Sequence, residues 1–85
     1  MMLAILEVRL RGAYRLHLRF NDGVEGVVDI AEVIPFEGVF ARLRDQREFD
    51  KVYADPDWGT ISWPGNLDLA PEPLHNRVRR YPVSP

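Results

Sequence analysis

Residues 4–30 read AILEVRLRGAYRLHLRFNDGVEGVVDI, and the alternation within this stretch decides the fold. Ala4, Leu6, Val8 and Leu10 alternate with Ile5, Glu7 and Arg9, while Tyr14, Leu16, Leu18 and Phe20 alternate with Arg15, His17 and Arg19. A period of two is the period of a strand with one buried face. With Arg11, Gly12 and Ala13 as the connection, Leu10 faces Tyr14, Val8 faces Leu16 and Leu6 faces Leu18, so the apolar side chains share one side. A slip of one residue would turn them all to the other side. Asn21-Asp22-Gly23 has the form of a three-residue hairpin loop whose last position is left-handed and favours glycine. This loop sets Phe20 opposite Val24 and Leu16 opposite Val28, and so predicts a three-stranded antiparallel meander whose third strand covers residues 24–30.

The same register arranges the polar face. Arg9 falls opposite Arg15, Arg15 opposite Asp29, and Arg19 opposite Glu25. Directly opposed charges gain or lose up to about 1 kcal/mol according to sign, so the repulsion of Arg9 and Arg15 is offset by Arg15 with Asp29. A salt-paired sheet face is expected here rather than an anion site.

Beyond the meander, residues 31–35 are too short for a stable helix, and Pro35 interrupts any continuation. A short helix fits residues 38–44, with Phe36, Val39, Phe40 and Leu43 spaced to face inward. Asp45 and Gln46 leave it, and Phe49, among Glu48, Asp50 and Lys51, is an apolar anchor to the sheet. Two further strands are predicted over residues 51–54 and 60–63, joined by the turn Asp55-Pro56-Asp57-Trp58-Gly59. Pro64-Gly65-Asn66 is a turn. Pro71 and Pro73 suit the first turn of a C-terminal helix, with Leu74, Val78 and Tyr81 as its apolar stripe and Pro82 and Pro85 at its end. The expected fold class is therefore α+β: a small single domain with an antiparallel β-meander, a short helix, two further strands and a C-terminal helix.

Length and composition agree. Eighty-five residues, 46% hydrophobic and 28% charged, make one domain over residues 1–85, with its core at about 3–81 and a frayed C-terminal end. Its radius of gyration should be roughly 12 Å, and its core thin. No cofactor is expected, because such a core leaves no room for an enclosed cofactor cavity. The absence of cysteine excludes a disulfide framework and a thiolate metal site. The apolar start is broken by Glu7 and Arg9, so neither a signal peptide nor a membrane span is expected, and the cytoplasm is the expected location.

The net charge of −2 conceals an uneven distribution: +3 over residues 1–20, −8 over residues 21–76 and +3 over residues 77–80. Overall balance excludes a globally electrostatic binder of nucleic acid or anionic membrane. A local patch is still open, and the candidate partner-binding residues are Arg9, Arg11, Arg15, Arg77, Arg79 and Arg80. For the last three, a favourable meeting with the negative end of the final helix is the simpler role.

Motifs for catalysis are weak. His17 and His75 would need long-range convergence to hold a metal, and Asp55, Asp57 and Asp68 lack the spacing of a calcium loop. Ser62, Asp68 and His75 contain the residue types of a triad, without the strained turn that exposes a nucleophilic serine. The glycines are isolated and form no phosphate loop. Trp58, Trp63, Tyr53 and Tyr14 could together offer a stacking surface to single-stranded nucleic acid, although burial in a thin core accounts for such residues more simply. No enzyme activity is therefore expected.

Leu16-His17-Leu18-Arg19-Phe20-Asn21-Asp22-Gly23, Val28-Asp29-Ile30, Val39-Phe40-Ala41-Arg42-Leu43-Arg44-Asp45, Phe49, and the run from Thr60-Ile61-Ser62-Trp63-Pro64-Gly65-Asn66-Leu67-Asp68-Leu69-Ala70-Pro71 through Leu74 and His75 resemble the bacterial domain of unknown function 2442 family. The likeness covers roughly residues 4–75 and is most specific at Trp63 to Pro71. It implies a small α+β fold with no established activity, in prokaryotic gene pairs whose arrangement suggests toxin and antitoxin. Some relatives carry an additional helix-turn-helix domain. The family usually has Tyr where this chain has His75. The resemblance carries over Phe20, Asp22, Gly23, Asp29, Trp63, Asp68, Pro71 and Leu74 as fold-defining positions.

The functional expectation is a noncatalytic protein-binding module, the antitoxin-like member of a two-protein system, with the neighbouring gene product as partner. The alternative is a nucleic-acid-binding accessory domain that uses the arginine patch. Self-association through a sheet edge, giving a homo-oligomer, is a further expectation.

Overall fold

The computed structural model describes residues 2–80, without the side chains of Arg79 and Arg80; the predicted contribution of Tyr81 and the proline stop lie outside the described residues. β1 (Ile5–Leu10), β2 (Arg15–Phe20) and β3 (Glu25–Asp29) form the antiparallel meander in the order β1-β2-β3. Between β2 and β3 the register is as expected, with Arg15 opposite Asp29, Leu16 opposite Val28 and Arg19 opposite Glu25. Gly23 takes φ +91° at the end of the tight loop, and Asp22 Oδ1 accepts the Val24 amide at 3.1 Å. Leu16, Leu18, Phe20 and Val28 are all buried.

The β1–β2 register differs from expectation. Leu10 pairs with Leu16, Val8 with Leu18, and Arg9 with His17 rather than Arg15. The Arg11 amide donates to the Arg15 carbonyl at 3.0 Å and the Arg15 amide to Gly12 at 3.1 Å, with Ala13 left-handed at φ +50°. The turn thus displaces the partners by two residues. A two-residue displacement preserves the alternation of faces, so hydrophobic pattern alone does not distinguish the registers. A bulge between Ile5 and Glu7 then brings Ile5 opposite Phe20 and into the core, while Leu6 is 51% exposed.

After β3, a single helical turn α1 (Ile30–Val33) forms where sequence predicted none. Asp29 caps it by accepting the Ala31 amide at 3.0 Å, and burial of Ile30 anchors it. Residues Gly38–Arg44 form the predicted helix, as a 3₁₀ helix. At three residues per turn, Phe40 and Leu43 share a face and Val39 does not. Leu43 is buried accordingly, and Val39 is 74% exposed. Sequence reasoning also missed α2 (Gln46–Phe49), which Asp45 caps by accepting the Arg47 amide at 3.0 Å.

The second sheet contains three strands rather than two: β4 (Tyr53–Asp55), β5 (Thr60–Trp63) and β6 (Leu67–Leu69), antiparallel in that order. Across it, Ile61 meets Ala54 and Leu69, and Trp63 meets Leu67. Helix α3 (Pro71–Arg80) begins at the predicted proline, buries Leu74 and Val78, and packs near β3.

One core joins these pieces. Phe49 is fully buried, with its ring centroid 5.1 Å from Tyr14 and 6.0 Å from Trp63. The Trp63 indole donates to the Phe49 carbonyl at 2.9 Å, and the Tyr14 hydroxyl donates to Arg44 at 2.6 Å. The sheets meet where the Ile5 amide donates to the Gly59 carbonyl at 2.9 Å. Gly59 has φ +69°, and a Cβ there would lie 2.7 Å from Ala4 Cβ, so this junction requires glycine. The radius of gyration is 12.0 Å and the shortest dimension 18 Å, a domain with a thin core.

Candidate functional site

The arginines singled out by sequence occupy separate surroundings. Arg9 donates to Glu7 at 2.8 Å, and the second Glu7 oxygen lies 3.7 Å from Arg19. Those two guanidinium groups hold the Glu7 carboxyl below its ordinary value, chiefly through the bond from Arg9. Arg11 and Arg15 sit at the β1–β2 turn, where the Arg15 guanidinium donates to the Arg11 carbonyl at 2.9 Å. Arg77 lies on α3, 3.6 Å from Glu32 of α1. Asp29 and Glu32 line the concavity beside Arg77, so acidic groups face it there. The side chains of Arg79 and Arg80 lie outside the described residues. Although Arg15 and Arg19 have the expected acidic residues opposite them, Glu25 approaches His17 at 3.4 Å, and Arg19 uses Glu7.

His75 is drawn to a different place from the one a triad would require. Its Nε2 lies 2.7 Å from Asp22 Oδ2, and its ring packs edge-on to Phe20 at 4.9 Å. The pair ties α3 to the β2–β3 loop. The Val24 amide is the main cause holding the Asp22 carboxyl below its ordinary value, with His75 adding to it against partial desolvation. Ser62 is buried in β5 with its hydroxyl 3.0 Å from that of Thr60. Asp68 stands opposite Ser62 on β6. Among the described residues no cluster of three potential metal ligands forms.

Most positions carried over as fold-defining have visible structural roles. Phe20, Trp63 and Leu74 are buried, Gly23 closes a loop, Asp22 and Asp29 accept turn or cap amides, and Pro71 opens α3. Asp68 is different. It is exposed, and among the described residues no cation comes within ion-pair distance of it.

The four aromatics considered as one stacking surface separate into two pairs. Trp63 and Tyr14 belong to the core network, whereas Trp58 is 76% exposed and Tyr53 is 45% exposed. On the outer face of the second sheet, Tyr53, Ser62 and Asp68 lie in register across the three strands. Together with Trp58 and Asp55 they line a shallow concavity of about 140 Å³. Asp55 also supports the turn that carries Trp58, accepting the Asp57 amide at 2.9 Å through Oδ1 and the Gly59 amide at 2.8 Å through its carbonyl. The turn holds a large aromatic ring in solvent beside two carboxylates. Its flanking Asp57 and Gly59 were a legible sign that Trp58 belonged on the surface.

These features define a small α+β domain with two three-stranded sheets, a shared core and an acidic, aromatic outer face on the second sheet. The family model described as protein of unknown function (DUF2442) matches residues 5–80, and the chain belongs to that family. No curated protein and no solved structure matches it. No helix among the described residues is long and apolar enough to cross a membrane.

Proposed function

We propose that this chain is a noncatalytic protein-binding module acting as the antitoxin-like member of a two-protein system. The observation carrying the protein-binding reading is Trp58, a large aromatic 76% exposed beside exposed Tyr53 on one concave face. Tryptophan and tyrosine supply much of the energy of protein interfaces when a partner removes them from water, and Trp58 has no comparable burial within its own chain. The antitoxin-like role rests on the kind of gene pairing that the family resemblance implies. Coexpression with the neighbouring gene product, followed by copurification and a growth assay, tests both levels. A stable complex with relief of growth inhibition is expected; absence of both would overturn the proposal.

Nucleic-acid binding through the arginine patch has weaker support. Within the patch, Glu7 engages Arg9 and Glu32 engages Arg77, so part of that positive charge is already countered within the chain. A salt-dependent mobility shift with short RNA or DNA would favour this alternative.

A further inference from the structure

We infer that the concavity of the second sheet receives an arginine side chain from a partner protein. This assignment rests on the protein-binding reading and specifies the chemistry of the contact. Trp58 and Tyr53 supply exposed aromatic surface, and Asp55 and Asp68 place carboxylates in the same concavity. Among the described residues neither carboxylate has a cation within ion-pair distance. Glu7, Glu32 and Glu48 have intrachain ion pairs, whereas Asp29, Glu37, Asp50, Asp57 and Glu72 resemble Asp55 and Asp68 in having none among the described residues. What sets Asp55 and Asp68 apart is their place beside the exposed aromatic pair.

An arginine matches both parts of this surface. Its planar guanidinium stacks on an aromatic ring while its N–H groups donate to carboxylates, a combination that lysine's compact ammonium reproduces less well. The volume of about 140 Å³ is roughly that of four or five waters, suited to a side-chain head group rather than a folded element. The site therefore requires a partner that presents arginine on a protruding loop, strand end or extended segment. Ser62 contributes little donor capacity because it is buried and engaged with Thr60, leaving the carboxylates to select positive charge.

The test uses the full chain labelled with ¹⁵N and a short blocked Gly-Arg-Gly peptide. Its citrulline counterpart removes the charge while preserving the shape, and a neutral cello-oligosaccharide tests whether the exposed aromatic rings stack on a sugar instead of a guanidinium. The Trp58 indole signal is expected to shift saturably with the arginine peptide and the buried Trp63 indole to remain in place. Citrulline should bind about tenfold more weakly, and Asp68→Asn should weaken arginine binding several-fold without disturbing the rest of the spectrum. Trp58→Ala should remove saturable binding, and unchanged spectra elsewhere will show that both variants fold. Equal response to arginine and citrulline, preferential saturation by the oligosaccharide, or no movement of Trp58 would overturn the inference. Copurification separates the two levels: a partner retained equally by wild type, Asp68→Asn and Trp58→Ala preserves protein binding but overturns this site. Saturable arginine binding in the absence of any copurifying partner preserves the site and overturns the proposed two-protein association.

Discussion

Two tryptophans five positions apart have opposite physical assignments. Trp63 is buried and donates to the Phe49 carbonyl, whereas Trp58 projects into solvent. Trp63→Phe should therefore cost about 1–3 kcal/mol, because it removes the shorter of the two bonds to the Phe49 carbonyl, leaving the Val52 amide at 3.2 Å, and takes ring volume out of the core. Trp58→Ala should change stability by no more than about 0.5 kcal/mol. Chemical denaturation of the two variants measures this separation. At Asp22 the prediction concerns pH. Its folded-state pKa is lowered, chiefly by the Val24 amide, so its contribution is present above the unfolded carboxylate value of about 3.9 and is lost as pH falls through the lower folded value. Asp22→Asn retains an oxygen for the Val24 amide while removing the charge. Acid titration of unfolding should show weaker pH dependence in that variant below about pH 4. The sequence exposed Asp22 as a turn residue, but its bond to His75 depends on bringing together positions 53 residues apart, a contact no local pattern specifies.

Among the elements, the pairing of β2 with β3 was legible because two independent signals agreed, residue alternation and the glycine loop. The third strand, expected over residues 24–30, nevertheless ends at Asp29, and Ile30 opens α1. The β1–β2 pairing had only the alternation, which survives a displacement of two residues. Turn geometry at Gly12 and Ala13 chose the partners, and the bulge exchanged Leu6 for Ile5 in the core. Helix α2 was missed although Asp45 followed by Glu48 at the third helical position is a recognisable start signal. Asp45→Ala should cost about 1 kcal/mol in an equilibrium unfolding measurement through loss of that cap. Strand β6 was less visible because it spans only three residues, Leu67–Leu69, and its identity comes from pairing with β5. The sheet junction gives another element-level test. Gly59→Ala combines a left-handed backbone with a close approach to Ala4, and thermal unfolding should reveal a loss of about 2–4 kcal/mol.

Over the whole molecule, the balanced total charge resolves into local pairs and a distinct acidic, aromatic face. Composition disclosed the charge blocks, and strand alternation located much of the core, but neither could place Tyr53, Trp58, Asp55 and Asp68 around one concavity. That convergence requires the second sheet and its turn to be assembled. Of the arginines that form blocks in the sequence, Arg9 and Arg19 use Glu7 of β1, and Arg77 uses Glu32 of α1. The most direct test is capture of the coexpressed neighbouring gene product by wild type, Trp58→Ala and the double variant Arg11→Ala with Arg15→Ala, after matched stability has been verified. Wild type and the double-arginine variant should capture it equally, and Trp58→Ala should lose most capture. Failure of wild type to capture it, retention by Trp58→Ala, or selective loss in the double-arginine variant would contradict the account.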